Sequence, residues 1–322
     1  MRLSRWLWLG LALVVALILA IAIGTISVPI SAIVDAFRGG QSTPAVVVRS
    51  LRVPRVILAS LVGAGLGMSG AALQGTMRNP LAEPYLLGVS GGAAVGAVIA
   101  TVLGFGFVFV PIAAFIGAIV AVIAAFFVAR AAGSRGDARV LLMAGVVVGA
   151  FANAAIMVML ANAEANVVRN ALWWMMGSVA DATWPQIGTL FGYVLVGGTA
   201  LVLFGRRIDV LSLGEDAAAG LGLDVDRSMR DVFIVSSFVA AATVAAAGLI
   251  GFVGLVVPHI ARGLGARQHR ALIGASGIVG ATLVVLADLL SRVLRPPAEL
   301  PLGAVTALVG VPFFLAKLRH LR

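Results

Sequence analysis

The sequence predicts an all-α polytopic membrane protein, and three observations carry that prediction. Hydrophobic residues make up 61% of the 322 and charged residues only 11%, against about 25% charged in an ordinary soluble domain. Mean hydropathy is +1.11. The charges are bunched, leaving long uncharged runs, and about 20 apolar residues are what a hydrocarbon core of about 30 Å asks of a helix. These figures exclude a soluble enzyme, a disordered chain and a coiled coil. With no cysteine there is no disulfide framework, thiol chemistry or cysteine-held zinc. Three histidines, His259, His269 and His320, leave little for a metal site.

Taken in order, the uncharged runs predict about ten helices. Trp6 to Val34 gives the first span and Val56 to Met77 the second. Pro84 to Ala129 is charge-free for 46 residues and is broken at Gly104-Phe-Gly106 and Pro111, which suits two helices and a tight turn. Val140 to Ala163 is the fifth span and Ala182 to Gly205 the sixth. Val232 to Pro258 is the seventh, with a break expected near its end, and a short eighth runs on towards Arg262. Ala271 to Ala287 and Leu300 to Ala316 complete the set. Ten helices of about 20 residues leave only loops, so residues 1–322 read as a single transmembrane domain. A signal peptide is the rival reading of the N-terminus. The first uncharged run has 29 residues, against about 7–15 in a signal-peptide core, so the first helix is read as uncleaved.

The net charge of +10 comes from 22 Arg, one Lys and 13 acids. In a soluble chain it would suggest nucleic acid; here it reads as the positive-inside bias. With both termini cytoplasmic, 16 of the 23 basic residues fall inside: Arg2, Arg5, Arg78, Arg130, Arg135, Arg139, Arg206, Arg207, Arg227, Arg230, Arg262, Arg267, Arg270, Lys317, Arg319 and Arg322. The other 7, Arg38, Arg49, Arg52, Arg55, Arg169, Arg292 and Arg295, fall outside and run against the bias.

The acids Glu83, Glu164, Asp181, Asp231, Asp288 and Glu299 fall in loops or near helix ends. Ion-coupled carriers usually keep ionisable groups at mid-membrane, so a carrier driven by an ion gradient is the weaker reading. The only lysine, Lys317, is followed by Leu318, so the chain holds no G-x-x-x-x-G-K-[ST] phosphate loop. If ATP drives the protein, another chain hydrolyses it. No cofactor is expected.

Several runs are specific enough to carry a resemblance. They are Leu51-Arg-Val-Pro-Arg55, Asn79-Pro-Leu-Ala82 within Gln74 to Gly91, Gly251-Phe-Val-Gly-Leu-Val-Val-Pro-His259, Gln268-His-Arg270, Glu299-Leu-Pro-Leu-Gly303 and Gly310-Val-Pro-Phe-Phe314. Together they resemble the permease family of bacterial ABC importers for ferric siderophores, haem and cobalamin, over about residues 50 to 316. The resemblance implies the type II importer permease fold with ten helices. It also implies a homodimer in the bacterial cytoplasmic membrane, a cytoplasmic ATPase dimer, an extracytoplasmic binding protein, and a substrate path between two permeases.

It also assigns roles by position. Arg52, Arg55 and Arg292 match arginines that meet acidic residues of the binding protein, and exposed guanidinium groups suit carboxylates. The blander reading is snorkelling, or for Arg292 an i,i+4 pair with Asp288. The charged stretch at about 205–230 resembles the loop that rests on the ATPase, with Gly214, Ala218, Gly220, Leu221 and Gly222 as its contact core. Otherwise it is an ordinary solvated loop. Asn153, polar within the fifth span, lines the pathway or bonds a neighbouring helix. The glycines of 63–70 and 88–96 read as helix packing, Trp173 and Trp174 as an interfacial belt, and His259 and His269 as structural rather than haem ligands.

The expected function is therefore import of an iron chelate, or else cobalamin, by an ATP-driven complex. A gradient-driven carrier and a non-transporting scaffold are the alternatives.

Overall fold

The computed structural model describes residues 3–24, 28–106, 108–133 and 138–319. Arg2, Arg135, His320 and Arg322 lie outside the described residues, as do the side chains of Lys317 and Arg319. Among the described residues there are fourteen α-helices and no strand. They are α1 (Leu3–Ala22), α2 (Ile30–Phe37), α3 (Thr43–Val47), α4 (Val53–Thr76), α5 (Val89–Val102), α6 (Phe109–Ala131), α7 (Ala138–Ala161), α8 (Ala165–Met175), α9 (Trp184–Leu211), α10 (Glu215–Gly220), α11 (Val225–Ala247), α12 (Val253–Gly263), α13 (His269–Val293) and α14 (Leu302–Arg319). A π turn, Val48–Arg52, joins α3 to α4.

Among the described residues seven helices are long and apolar enough to cross a bilayer, and α5 and α14 are shorter apolar ones. With α12 these occupy the ten predicted places. α12, with 11 residues, is the short eighth helix expected, whereas α5, expected as a full span, has only 14, or about 21 Å at about 1.5 Å per residue.

Three other expectations are corrected. The first uncharged run is not one helix: α1 stops at Ala22, and Pro29 N-caps a separate α2. The sixth helix does not stop at Gly205. It runs to Leu211, so Arg206, Arg207 and Asp209 sit on helix and the charged loop shrinks to 212–224. The break after the seventh helix, expected from Gly251-Phe-Val-Gly254 and Pro258, falls at the first of these and not at Pro258. It lies at 248–252, where Gly248 and Phe252 both have positive φ, 70° and 67°, a conformation that ends a right-handed helix.

Pro258 sits inside α12. It has no N–H for the carbonyl of Gly254, four residues earlier. Gln74 replaces that donor: its Nε2 donates to Gly254 O at 3.3 Å and Leu255 O at 3.1 Å, while its Oε1 accepts from Arg262 at 2.8 Å. The break is satisfied in the same way, as backbone shielded from water demands. Ser178 N–H donates to Ala247 O at 2.8 Å and Gln186 Nε2 to Ala246 O at 2.7 Å. The Tyr85 hydroxyl donates to Ile250 O at 3.2 Å and accepts from Ile250 N–H at 3.1 Å.

α4 is the axis. It packs on α13, α11, α9 and α12, and a Cβ on Gly63 would collide with the carbonyl of Gly280 on α13. That backbone-to-backbone contact is what small residues give a membrane bundle. A second group, α5, α6 and α7, forms its own core around Ala93, Ala97, Ala114 and Ala118 and closes on α11. α1 lies outside, mainly against α13.

Candidate functional site

Helix direction sorts the candidate residues into two ends. α4 and α13 run antiparallel. The start of α4 and the end of α13 therefore share one end, with Arg52, Arg55 and Arg292. The end of α4, the end of α9, α10 and the start of α13 share the other.

At the first end the three predicted arginines come together, but not as exposed groups. Arg52 is 6% exposed and Arg292 4%. Arg52 Nη1 donates to Ile21 O at 2.7 Å and Ala22 O at 2.9 Å. Arg292 Nη2 donates to Ala20 O at 3.0 Å. These are last-turn carbonyls of α1, at the negative end of its helix dipole. Two helices thus cap a third. Arg292 also makes the i,i+4 pair with Asp288, at 3.2 Å.

Arg55 is clamped by two carboxylates. Its Nε and Nη2 donate to Asp288 Oδ1 at 2.9 and 2.8 Å, and its Nη1 and Nη2 to Glu299 at 2.8 Å each. Asp288 is 1% exposed, between Arg55 and Arg292. A buried carboxylate needs such company. The premise of open guanidinium groups is therefore corrected: these cations are spent inside the chain. Sequence reasoning found the arginines and the Arg292–Asp288 pair, but not the partners of Arg55, which lie 233 and 244 residues from it.

At the second end, Asp209 on α9 binds α13. Its Oδ1 accepts from the backbone N–H of His269 at 3.0 Å and lies 2.7 Å from His269 Nδ1. His259 Nε2 lies 3.2 Å from Pro80 O, and its ring lies against Phe314. Both histidines thus have partners within the chain, and no group of three metal-ligating side chains occurs among the described residues.

α10 has 6 residues within the predicted coupling stretch of about 205–230. Gly214 N-caps it at φ 114°, a backbone angle that favours glycine. Gly220 is exposed, Leu221 is 67% exposed, and Gly222 follows at φ 81°. Ala218 is corrected: it is fully buried, packed in the core of the α5–α6–α7 group, so it anchors the helix instead of meeting a partner. Leu213, which sequence reasoning passed over, is exposed as Leu221 is. Apolar residues in a polar loop were the available signal.

Near this end the α4–α5 connection carries Glu83. Burial pushes its carboxyl up to about 7.

Asn153 lies midway along α7, exposed, with Ile156, Met157, Leu160, Leu172 and Met175 around a groove of about 500 Å³ between α7 and α8. No hydrogen bond ties Asn153 to another described residue. From Val140 to Ala163 α7 carries no charge. The arrangement offers an apolar wall with one amide, and no acid, base or nucleophile for bond chemistry.

Residues 12–320 match the FecCD transport family. The cobalamin import system permease protein BtuC of Halobacterium salinarum is 41% identical over 282 residues, 87% of this chain and 75% of its own. The hemin transport system permease protein HmuU of Yersinia pestis is 36% identical over 275 residues, 83% of this chain and 81% of its own. Among solved structures, an inward-facing metal-chelate type ABC transporter matches with TM-score 0.86 and 28% identity over 98% of both chains.

Proposed function

The chain belongs to the FecCD transport family, and from that premise we propose that it imports a metal chelate across the bacterial cytoplasmic membrane. It is a transport subunit, not an enzyme. In this reading two copies face each other, an ATPase dimer sits on the cytoplasmic side, and a binding protein delivers substrate from outside. The cargo is an iron chelate, a ferric siderophore or haem, with cobalamin as the alternative, in keeping with the hemin and cobalamin systems of its relatives.

The observation that carries the reading is the α7–α8 groove with Asn153. It is open on one side, and about 500 Å³ sits within the range of about 300–1,000 Å³ for ligand pockets. A large chelate is enclosed only when a second such surface faces the first. Asn153 then offers the pathway's polar contact. An uncharged wall suits cargo that must not be held on the way through.

The two ends take the partners. The α10 end is cytoplasmic, with both termini, and Gly214, Gly220, Leu221 and Gly222, joined by Leu213, rest on the ATPase above the Ala218 anchor. The opposite end receives the binding protein at Arg55, with Arg52 and Arg292 adding positive charge beneath it. ATP binding shifts the equilibrium between inward- and outward-facing states. A gradient-driven carrier fits less well, because Asp288 is neutralised by two arginines and is no open ion site.

The test is uptake into liposomes holding this chain, its ATPase and its binding protein, with haem, a ferric siderophore or cobalamin offered in turn. ATP-dependent accumulation of one ligand is expected. Uptake without ATP that collapses with an ionophore would overturn the proposal.

A further inference from the structure

We infer that Glu299 is the chain's own stand-in for a partner's carboxylate on Arg55, and that an acidic protein surface docks by displacing it. The inference rests on the docking end proposed above and adds the event that opens it.

The two carboxylates on Arg55 are not equivalent. Asp288 is on α13, 1% exposed, and shared with Arg292 at 3.2 Å. It has nowhere to go. The Glu299 side chain is 38% exposed and stands on the connection between α13 and α14. It holds the guanidinium end-on, through Nη1 and Nη2 at 2.8 Å each. That end of the fork matches a carboxylate in a bidentate pair. An exposed pair of this kind contributes at most about fivefold to an equilibrium, so an incoming carboxylate with other contacts can replace it.

Charge favours the exchange. Arg52, Arg55 and Arg292 share this end with Asp288 and Glu299, which leaves one positive charge among the five; with Glu299 swung out there are two. The partner is therefore a surface bearing Glu or Asp.

The exchange also has a route inward. Glu299 directly precedes Leu300, whose N–H donates to Ser291 O at 2.9 Å. Next come Leu302 and Gly303, whose N–H groups donate to Gly177 O at 3.2 Å and Met176 O at 3.0 Å. Glu299 thus stands at the head of the connection whose backbone pins the start of α14 beside the end of α8, where the groove lies.

The experiment uses the full chain in nanodiscs and a fluorescent hexaglutamate peptide, read by anisotropy at low salt. Glu299→Gln is expected to tighten binding about three- to fivefold. The gain is expected to vanish when Arg55→Gln is also present. Asp35→Asn removes a carboxylate from the same end, one held by Ser42 at 2.8 Å and not by Arg55. It is expected to leave affinity unchanged. An unchanged affinity for Glu299→Gln would overturn the inference. So would a gain that persists without Arg55, an equal gain from Asp35→Asn, or no peptide binding by any variant. No ATPase is needed, so this result and the uptake result fail independently.

Discussion

α4 and α7 have 24 residues each and nearly the same hydropathy, 1.9 and 2.2 over their best windows, yet 72% of the first window is buried in the protein and 28% of the second. Hydropathy says that a helix belongs in a bilayer. It does not say what the helix faces, because lipid tails are as apolar as leucine. The difference lies in what the small residues meet. Gly63 on α4 touches the backbone of α13, whereas a Cβ on Gly149 of α7 would meet nothing within 4 Å. α4 is the fixed axis of the chain, and α7 presents a surface to something outside it.

The sharpest way to break this comparison is to enlarge both glycines. Gly63→Leu drives a side chain into the carbonyl of Gly280 and is expected to cost about 3 kcal/mol or more, read as lost folded yield in detergent. Gly149→Leu is expected to leave the isolated chain's melting temperature unchanged. Equal effects would show that the two helices do not differ as described.

A smaller effect is expected at Gln74. Gln74→Leu leaves the Gly254 carbonyl and the Arg262 guanidinium without their partner, at about 1–3 kcal/mol. Asn153→Ala on α7 breaks no bond in the chain, so it is expected to change thermal stability by less than about 0.5 kcal/mol while lowering uptake. A stability loss at Asn153 as large as at Gln74 would contradict the contrast.

A further effect is pH-dependent. The Glu83 carboxyl titrates near 7 in the folded chain, raised from 4.5 by burial. The folded state then binds the proton more tightly than the unfolded one. Stability is full below about pH 4.5 and is lost as pH rises through about 7. Melting curves in detergent between about pH 5 and pH 8 are expected to show this decline, and Glu83→Gln to flatten it.

The comparison also marks how far the sequence could be read. Charge-free runs placed the helices because spanning length is a local property. They gave α5 as a full span where it has only 14 residues, while the short eighth helix they predicted is α12, with 11. Pro258 suggested a break because a missing N–H is visible in sequence, but Gln74, 184 positions earlier, supplies the lost donor and the helix continues. The true break overlaps Gly251-Phe-Val-Gly254, which the sequence also offered, but the Tyr85 and Gln186 side chains that satisfy it are announced by no local pattern. Arg52, Arg55 and Arg292 stood out as charges against the positive-inside trend. Their use as caps on α1 did not, because a helix-end carbonyl leaves no mark in composition. In the loop of 212–224, residue type alone did not distinguish buried Ala218 from its exposed neighbours.

The central claim is that the α7 face is covered by a second copy enclosing a path. The natural chain has no cysteine, so single cysteines report cleanly on contacts in native membranes. Met157→Cys, in the groove, is predicted to form disulfide-linked dimers under mild oxidation. Ile116→Cys, exposed on α6, is predicted to stay monomeric because lipid covers it. Cross-linking at Ile116 with none at Met157 would place the partner on the wrong face and contradict the account.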